Sequence, residues 1–316
     1  MPLDRSVKMF VASISLLAAL SCSACAAKSF HGNTVESLFS DDVTQRLASA
    51  ACEGDAAEVD RLIAGGARAN DVGNFGVTPL IWALTCDGIA LPSVLGERVA
   101  SSGMVRPLRG SDPEFLAGLV ILLKSGGNPN QVVSGDFGPT HPGTTNYVID
   151  GYTPVLIAAE FREVEILTVL LKYGGDPNAR DSSRQHTALS RAFDRGFWLD
   201  VGPQMAPYDR RQWANFYALL DAKADPDQEI ANGSNIVEQA ALSRPDIALD
   251  VLRRYQYDGA FDAVADYSIQ RIEAGFPDQD RSALLNFLKT EKRFDVDSRW
   301  KQYKKYLAEV RAKEER

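Results

Sequence analysis

Side chains that could perform catalysis are few in this chain of 316 residues, and none has the neighbours that its chemistry requires. Asp136-Phe137-Gly138 spells a tripeptide that binds magnesium in protein kinases, but no glycine-rich loop precedes it and no His-Arg-Asp loop is present. Lys124-Ser125-Gly126-Gly127 lacks the order of a phosphate-binding loop, in which glycines precede the lysine. Phosphoryl transfer is therefore not predicted.

Metal binding and acyl transfer also lack a complete set of residues. The three histidines, His31, His141 and His186, are isolated, with no second ligand at the spacing of a zinc site. No Gly-x-Ser-x-Gly nucleophile motif is present. We therefore predict that the protein is not an enzyme and binds no metal or cofactor. A hydrolase with its site in inserted loops is a remote alternative.

The overall composition is that of a folded protein with an acidic surface. Hydrophobic residues make up 45% and charged residues 24%, which excludes a disordered or multi-span membrane protein. The formal net charge of -8 argues against nucleic-acid binding, because neutralising phosphates needs a cationic surface. The length permits either two ordinary domains or one long array of repeats.

The N-terminal residues have the order of a secretory signal peptide. Arg5 and Lys8 precede the uncharged stretch Met9–Leu20, which is shorter than the roughly 20 residues that span a bilayer, and small residues follow. We predict a signal peptide over 1–26 and a linker over 27–40.

Two processing outcomes remain open for this leader. Ala24-Cys25-Ala26 fits ordinary cleavage before Ala27, whereas Ala19-Leu20-Ser21-Cys22 loosely resembles a bacterial lipobox, which would place a lipid on Cys22. Either outcome predicts an exported bacterial protein, periplasmic and soluble or anchored by lipid to the outer membrane. An N-terminal lipid would be its one membrane contact.

The stretch from 150 to 179 has the signals of two short antiparallel helices. Thr153 can cap a first helix, and Pro154 fits its first turn, where the missing N–H is harmless. Ala158 and Ala159 are small enough for close helix packing. A second helix follows with an apolar face, and Gly174 can end it in a left-handed conformation.

This stretch resembles an ankyrin repeat in its Asp-Gly-x-Thr-Pro opening, its Val-x-x-Leu-Leu second helix and its Gly-x-Asp-Pro-Asn exit. It departs from the family where Val155 and Leu156 stand, because no histidine follows the proline. The resemblance implies an all-α ankyrin-repeat solenoid of stacked helix-turn-helix units. Related signals predict about five repeats over 41–259, with exits at Asn70, Asn130, Asn178 and Asp227.

The exits lie farther apart than the roughly 33 residues of one ankyrin repeat. The excess predicts long finger or loop insertions near 87–112, 131–150 and 196–210, all rich in loop-forming residues. Beyond them, residues 260–316 are predicted to form a helical C-terminal cap, with helices at 282–287 and 299–313. Trp300 and Tyr303 recur on one face of the latter; its lysines favour a solvated surface over binding to nucleic acid or acidic lipid.

Cys52 and Cys86 fall at nearly equivalent positions, late in the first helices of neighbouring repeats. An oxidising compartment favours a disulfide between them. Stacked helices lie about 8–10 Å apart, however, and a disulfide needs Cα atoms within about 7 Å. This comparison favours two buried thiols and leaves the pairing open.

Ankyrin domains bind other proteins through their finger tips and the concave face made by first helices, so the resemblance implies a protein partner. Aromatic residues and arginine are the usual anchors of interfaces. The predicted partner-binding residues are Asn74, Phe75, Phe137, His141, Tyr147, Phe161, Arg162, Phe197, Trp198 and Tyr208. The alternative is that some of them pack the insertions against the repeats.

The acidic charge would suit a basic partner. We expect a chain that is monomeric when unbound and that acts as an inhibitor or immunity protein of a secreted effector. A scaffold or regulator of a periplasmic enzyme is the alternative.

Overall fold

The computed structural model describes residues 33–86, 110, 112–135, 150–161, 163–182, 186–200, 213–230, 233–275 and 279–314, with the backbone alone at 195–200 and 314. The predicted leader over 1–26, including Cys22, lies outside these residues, and so does most of each predicted insertion. The described residues form α-helices and no β-strand, which confirms the predicted all-α class.

Fourteen α-helices occur in the described residues. They are α1 Val35–Leu38, α2 Asp42–Glu53, α3 Ala56–Ala64, α4 Pro79–Thr85, α5 Pro113–Lys124, α6 Pro154–Phe161, α7 Val164–Lys172, α8 Ala188–Asp200, α9 Ala214–Asp221, α10 Ile236–Ser243, α11 Pro245–Arg254, α12 Phe261–Glu273, α13 Gln279–Thr290 and α14 Val296–Glu314.

The helices pack in two columns. The first helices of successive pairs, α2, α4, α6, α8, α10, α12 and α14, each pack against the next and are named the inner helices. The second helices α3, α5, α7 and α9 stack in the same way, as do α11 and α13. Each pair buries its apolar face against its neighbours, so one hydrophobic core runs along the array.

The helix boundaries follow the capping signals of the sequence. Thr78 Oγ1 accepts a hydrogen bond from Ile81 N at the start of α4, and Thr153 Oγ1 accepts one from Leu156 N in α6. Gly174 ends α7 with a φ of 90°, as the sequence predicts.

The predicted exit residues join one repeat to the next. Asn130 Nδ2 donates to Gly174 O at 2.9 Å, and its Oδ1 accepts from Asp176 N at 2.8 Å. Asn178 Oδ1 accepts from Asp225 N at 2.7 Å, and Asp227 Oδ2 accepts from Asp258 N at 2.7 Å. This ladder of turn side chains keeps the repeats in register although the segments between them differ in length.

Beyond the fifth pair the array continues with a sixth, α12 and α13, and ends with the inner helix α14. The helices predicted at 282–287 and 299–313 lie within α13 and α14. Helix α12 was not predicted, because it lacks the Thr-Pro opening and the glycine-rich exit, although Val264, Ala265, Ser268 and Ile269 give it a buried face.

Cys52 and Cys86 form a disulfide that joins α2 to α4, with a Cα–Cα distance of 6.2 Å. The preference for two separate thiols is therefore wrong. The axial distance between helices depends on the side chains at the contact, and the buried Ala48, Ala51 and Ala83 allow these two helices to approach closely.

The array is extended at its start by residues within the predicted linker. Leu38 and Phe39 are buried, α1 packs against α2, and Asn74 Nδ2 donates to Ser37 O at 2.8 Å. Across the described ranges, no helix is both long and apolar enough to cross a bilayer.

Candidate functional site

Two predicted binding residues lie in the finger after the first repeat. Asn74 is exposed, and its amide holds the α1 segment. Phe75 is half-buried and has a φ of 60°, a left-handed conformation that is costly for an aromatic residue. Ser134 N donates to Phe75 O at 2.9 Å, so the next finger helps to hold this conformation.

Phe161 is not an exposed anchor. Its side chain is buried at the end of α6, and its ring stacks on Tyr152 with centroids 6.5 Å apart. The expectation that it contacts a partner is corrected accordingly, because the apolar ring fills the core between repeats.

The other predicted binding residues fall where side chains are not described. Phe137, His141, Tyr147, Arg162 and Tyr208 lie outside the described residues, and Phe197 and Trp198 lie in α8 where only the backbone is described. Of the ten predicted partner-binding residues, the structure thus describes the side chains of Asn74, Phe75 and Phe161.

A charged cluster is buried between the third and fourth repeats. Tyr152 Oη donates to Glu160 Oε2 at 2.8 Å. Arg191 Nη2 donates to Asp181 Oδ2 at 2.8 Å, and Arg191 Nε lies 3.6 Å from Glu160 Oε2. The guanidinium also lies over the Tyr152 ring, 5.4 Å from its centroid. The cluster thus links α6, the following finger and α8.

The electrostatics of this cluster are dominated by burial. Burial raises the pKa of Glu160, and Arg191 opposes this increase only in part. Burial also raises the pKa of the Tyr152 hydroxyl, so that it stays protonated and donates. Asp194 lies one helical turn beyond Arg191 on α8, and burial raises its pKa to about 6.

Asp194 lines a cavity of about 210 Å³ between the inner helices α8, α10 and α12. Within the described part of the chain, no hydrogen bond or ion pair reaches its carboxylate. The lining residues are Phe193, Asp194, Ser234, Gln239, Leu242, Ser243 and Tyr267. The cavity combines one carboxyl group with polar and apolar walls on the side of the array formed by first helices.

Sequence reasoning did not find Asp181, Arg191 or Asp194. The sequence did contain one signal. When Thr187 of the fourth repeat is aligned with Thr153 of the third, Arg191 occupies the position of the apolar Ile157. A charged residue at an inward position of a repeat indicates a buried ion pair.

Asp194→Asn is expected to stabilise the protein at pH 7 by about 2 kcal/mol, allowing for the partial exposure of the carboxyl group. The folded protein holds the Asp194 proton up to about pH 6, whereas the unfolded chain releases it near 3.8. Between these values the folded state binds more protons, so the stability of the wild type falls as the pH rises. Urea unfolding at pH 4 and pH 7 measures the difference between the two proteins.

The difference is expected to be largely lost near pH 4, where the folded protein holds the Asp194 proton and the carboxyl group of the unfolded chain is already partly protonated. The exposed Asp60 on α3 provides the control, and Asp60→Asn should change stability little at either pH. A constant difference between wild type and Asp194→Asn across this range would contradict the assignment.

Residues 150–182 match the family model of the ankyrin repeat, which confirms the resemblance in the third repeat. No curated protein matches the chain in sequence.

Proposed function

This chain is an ankyrin-repeat protein, and from that premise we propose that it is a non-enzymatic binding module of the bacterial cell envelope that holds a protein partner. Ankyrin repeats are interaction modules as a class. The observation that carries the proposal is the continuous series of inner helices and fingers, which offers an extended surface built from many repeats.

The charge of the fingers supports a basic partner. Asp176, Asp225, Glu229 and Asp258 are exposed along successive fingers. A row of carboxylates attracts a cationic protein and increases its rate of association. We therefore place the contact on the fingers and the adjoining inner helices.

The disulfide between Cys52 and Cys86 supports the proposal of export. Disulfides persist in oxidising compartments and are rare in the cytosol. We propose a periplasmic location, either soluble or with a lipid on Cys22. Incorporation of labelled palmitate that is lost in Cys22→Ala would support the lipid-anchored form, and incorporation that persists in the variant would contradict it.

Within this location, we propose that the protein inhibits a secreted effector, as an immunity protein does. The acidic fingers suit a basic toxin, and a protein exported with its disulfide would meet such a toxin outside the cytoplasm. A captured periplasmic enzyme in place of an effector would instead favour a scaffold or regulator.

Affinity capture from a periplasmic extract is expected to return one partner in stoichiometric amount. Reversing two finger charges, Glu229→Lys with Asp258→Lys, should reduce the captured amount at least about tenfold, because like charges across an interface repel. The effect should weaken at high salt.

The matched control reverses two exposed charges on second helices, Asp60→Lys on α3 with Glu165→Lys on α7. This control has the same net charge as the finger variant and should capture as much partner as the wild type. Equal capture by all three proteins would refute the finger surface, and no captured partner from any of them would refute the proposed function.

A further inference from the structure

We propose that the cavity at Asp194 receives an arginine side chain of the partner protein, with the guanidinium on the Asp194 carboxylate. This inference rests on the proposed binding function and adds the chemistry of one contact to it. The cavity lies between three successive inner helices, where the partner would lie.

The walls of the cavity suit an arginine along its whole length. Leu242 is 40% exposed at the end of α10 and offers apolar surface to the aliphatic stem. The ring of Tyr267 on α12 is half-buried and can face a cation. Gln239 and Ser243 also line the cavity, and their side chains carry oxygens that can accept hydrogen bonds from a guanidinium.

Carboxyl groups outnumber cations around Asp194, so a further cation would be bound favourably there. In the described part of the structure, three carboxyl groups, Glu160, Asp181 and Asp194, surround the single guanidinium of Arg191. Arg191 is already hydrogen-bonded to Asp181 and close to Glu160. The positive charge of Arg191 lowers the pKa of the Asp194 carboxyl group, but burial raises it by more, so the pKa remains raised.

A larger cavity of about 390 Å³ beside α1 also has three carboxyl groups, Glu36, Asp41 and Asp71, and one guanidinium, Arg68, but each of these carboxylates has a hydrogen-bond donor within the chain. There Arg68 pairs with Asp71, while Thr44 N donates to Asp41 and Thr44 Oγ1 donates to Asp71. Because those carboxylates already have donors, that cavity gives no reason to expect a cationic ligand. Arginine is favoured over lysine at Asp194 because its planar fork can bind a carboxylate and neighbouring oxygens together.

The first test uses N-acetyl-arginine amide as the probe and N-acetyl-citrulline amide as its neutral isostere. The arginine compound is expected to shift the Leu242 methyl signals in NMR spectra and to saturate at millimolar concentration. The citrulline compound should not shift them. Asp194→Asn should abolish the effect, and Asp60→Asn should leave it unchanged; equal shifts from both compounds, or none, would overturn the inference.

The second test measures the captured partner. Asp194→Asn is expected to weaken its binding about thirtyfold or more, since removal of one member of a desolvated ion pair costs at least about 2 kcal/mol. Urea unfolding of the same variant, which should be at least as stable as the wild type, excludes misfolding as the cause. Unchanged affinity would overturn the inference and leave the proposed function standing, whereas a binding arginine probe with no capturable partner would refute the proposed function and leave only the affinity of the cavity for a guanidinium.

Discussion

Replacing Cys52 and Cys86 together by alanine is expected to lower the free energy of unfolding by about 4 kcal/mol, because the disulfide closes a long loop in the unfolded chain. The two cysteines are 34 residues apart in sequence, and each such constraint removes conformational freedom from the unfolded state. Urea unfolding of both proteins under non-reducing conditions measures the change.

Hydrogen exchange should place the loss in the first two repeats, since repeats contact only their neighbours. The wild type treated with a reductant provides the control and should match the double variant, which in turn should not respond to the reductant. A difference below about 1 kcal/mol between the oxidised wild type and the variant would indicate that the native protein holds two free thiols.

Arg191→Met is expected to cost about 3–5 kcal/mol, because removing one partner of a buried ion pair leaves the other charge uncompensated. Asp181, 1% exposed, would lose its charged donor, and Glu160, 7% exposed, would lose the nearby cation. The measurement is urea unfolding at pH 7, with hydrogen exchange to locate the loss at α6 and α8.

Arg254→Met is the matched control. Arg254 forms an exposed pair with Asp250 on α11, and such pairs contribute less than about 1 kcal/mol. Adding Asp181→Asn to Arg191→Met should restore part of the stability, because it removes one unpaired charge. If Arg191→Met costs no more than Arg254→Met, the buried cluster does not hold the third and fourth repeats together.

The repeat core could be predicted because its signals are local. Thr153 with Pro154 opens a helix and Gly174 ends one, and each acts within a few residues of itself. The pairing of Cys52 with Cys86 could not be derived in this way, because it depends on how closely two helices approach across the core. That distance is set by alanines on both helices together.

The candidate site was harder to predict for a similar reason. Interface statistics favour exposed aromatics and arginine, but burial decides which of them are available, and Phe161 belongs to the core. Asp194 was not predicted because an aspartate on a helix is ordinarily solvated. Its unusual surroundings arise only when the inner helices α8, α10 and α12 stack.

The disulfide also has a mechanical consequence. Under tension applied to its ends, a stack of repeats held by nearest-neighbour contacts lengthens as the repeats come apart. The segment between Cys52 and Cys86 cannot contribute to that lengthening while the bond is intact, although 34 residues would otherwise extend by about 110 Å. The fully extended chain with an intact disulfide would therefore be shorter by about this length, and a reducing agent would allow the segment to extend.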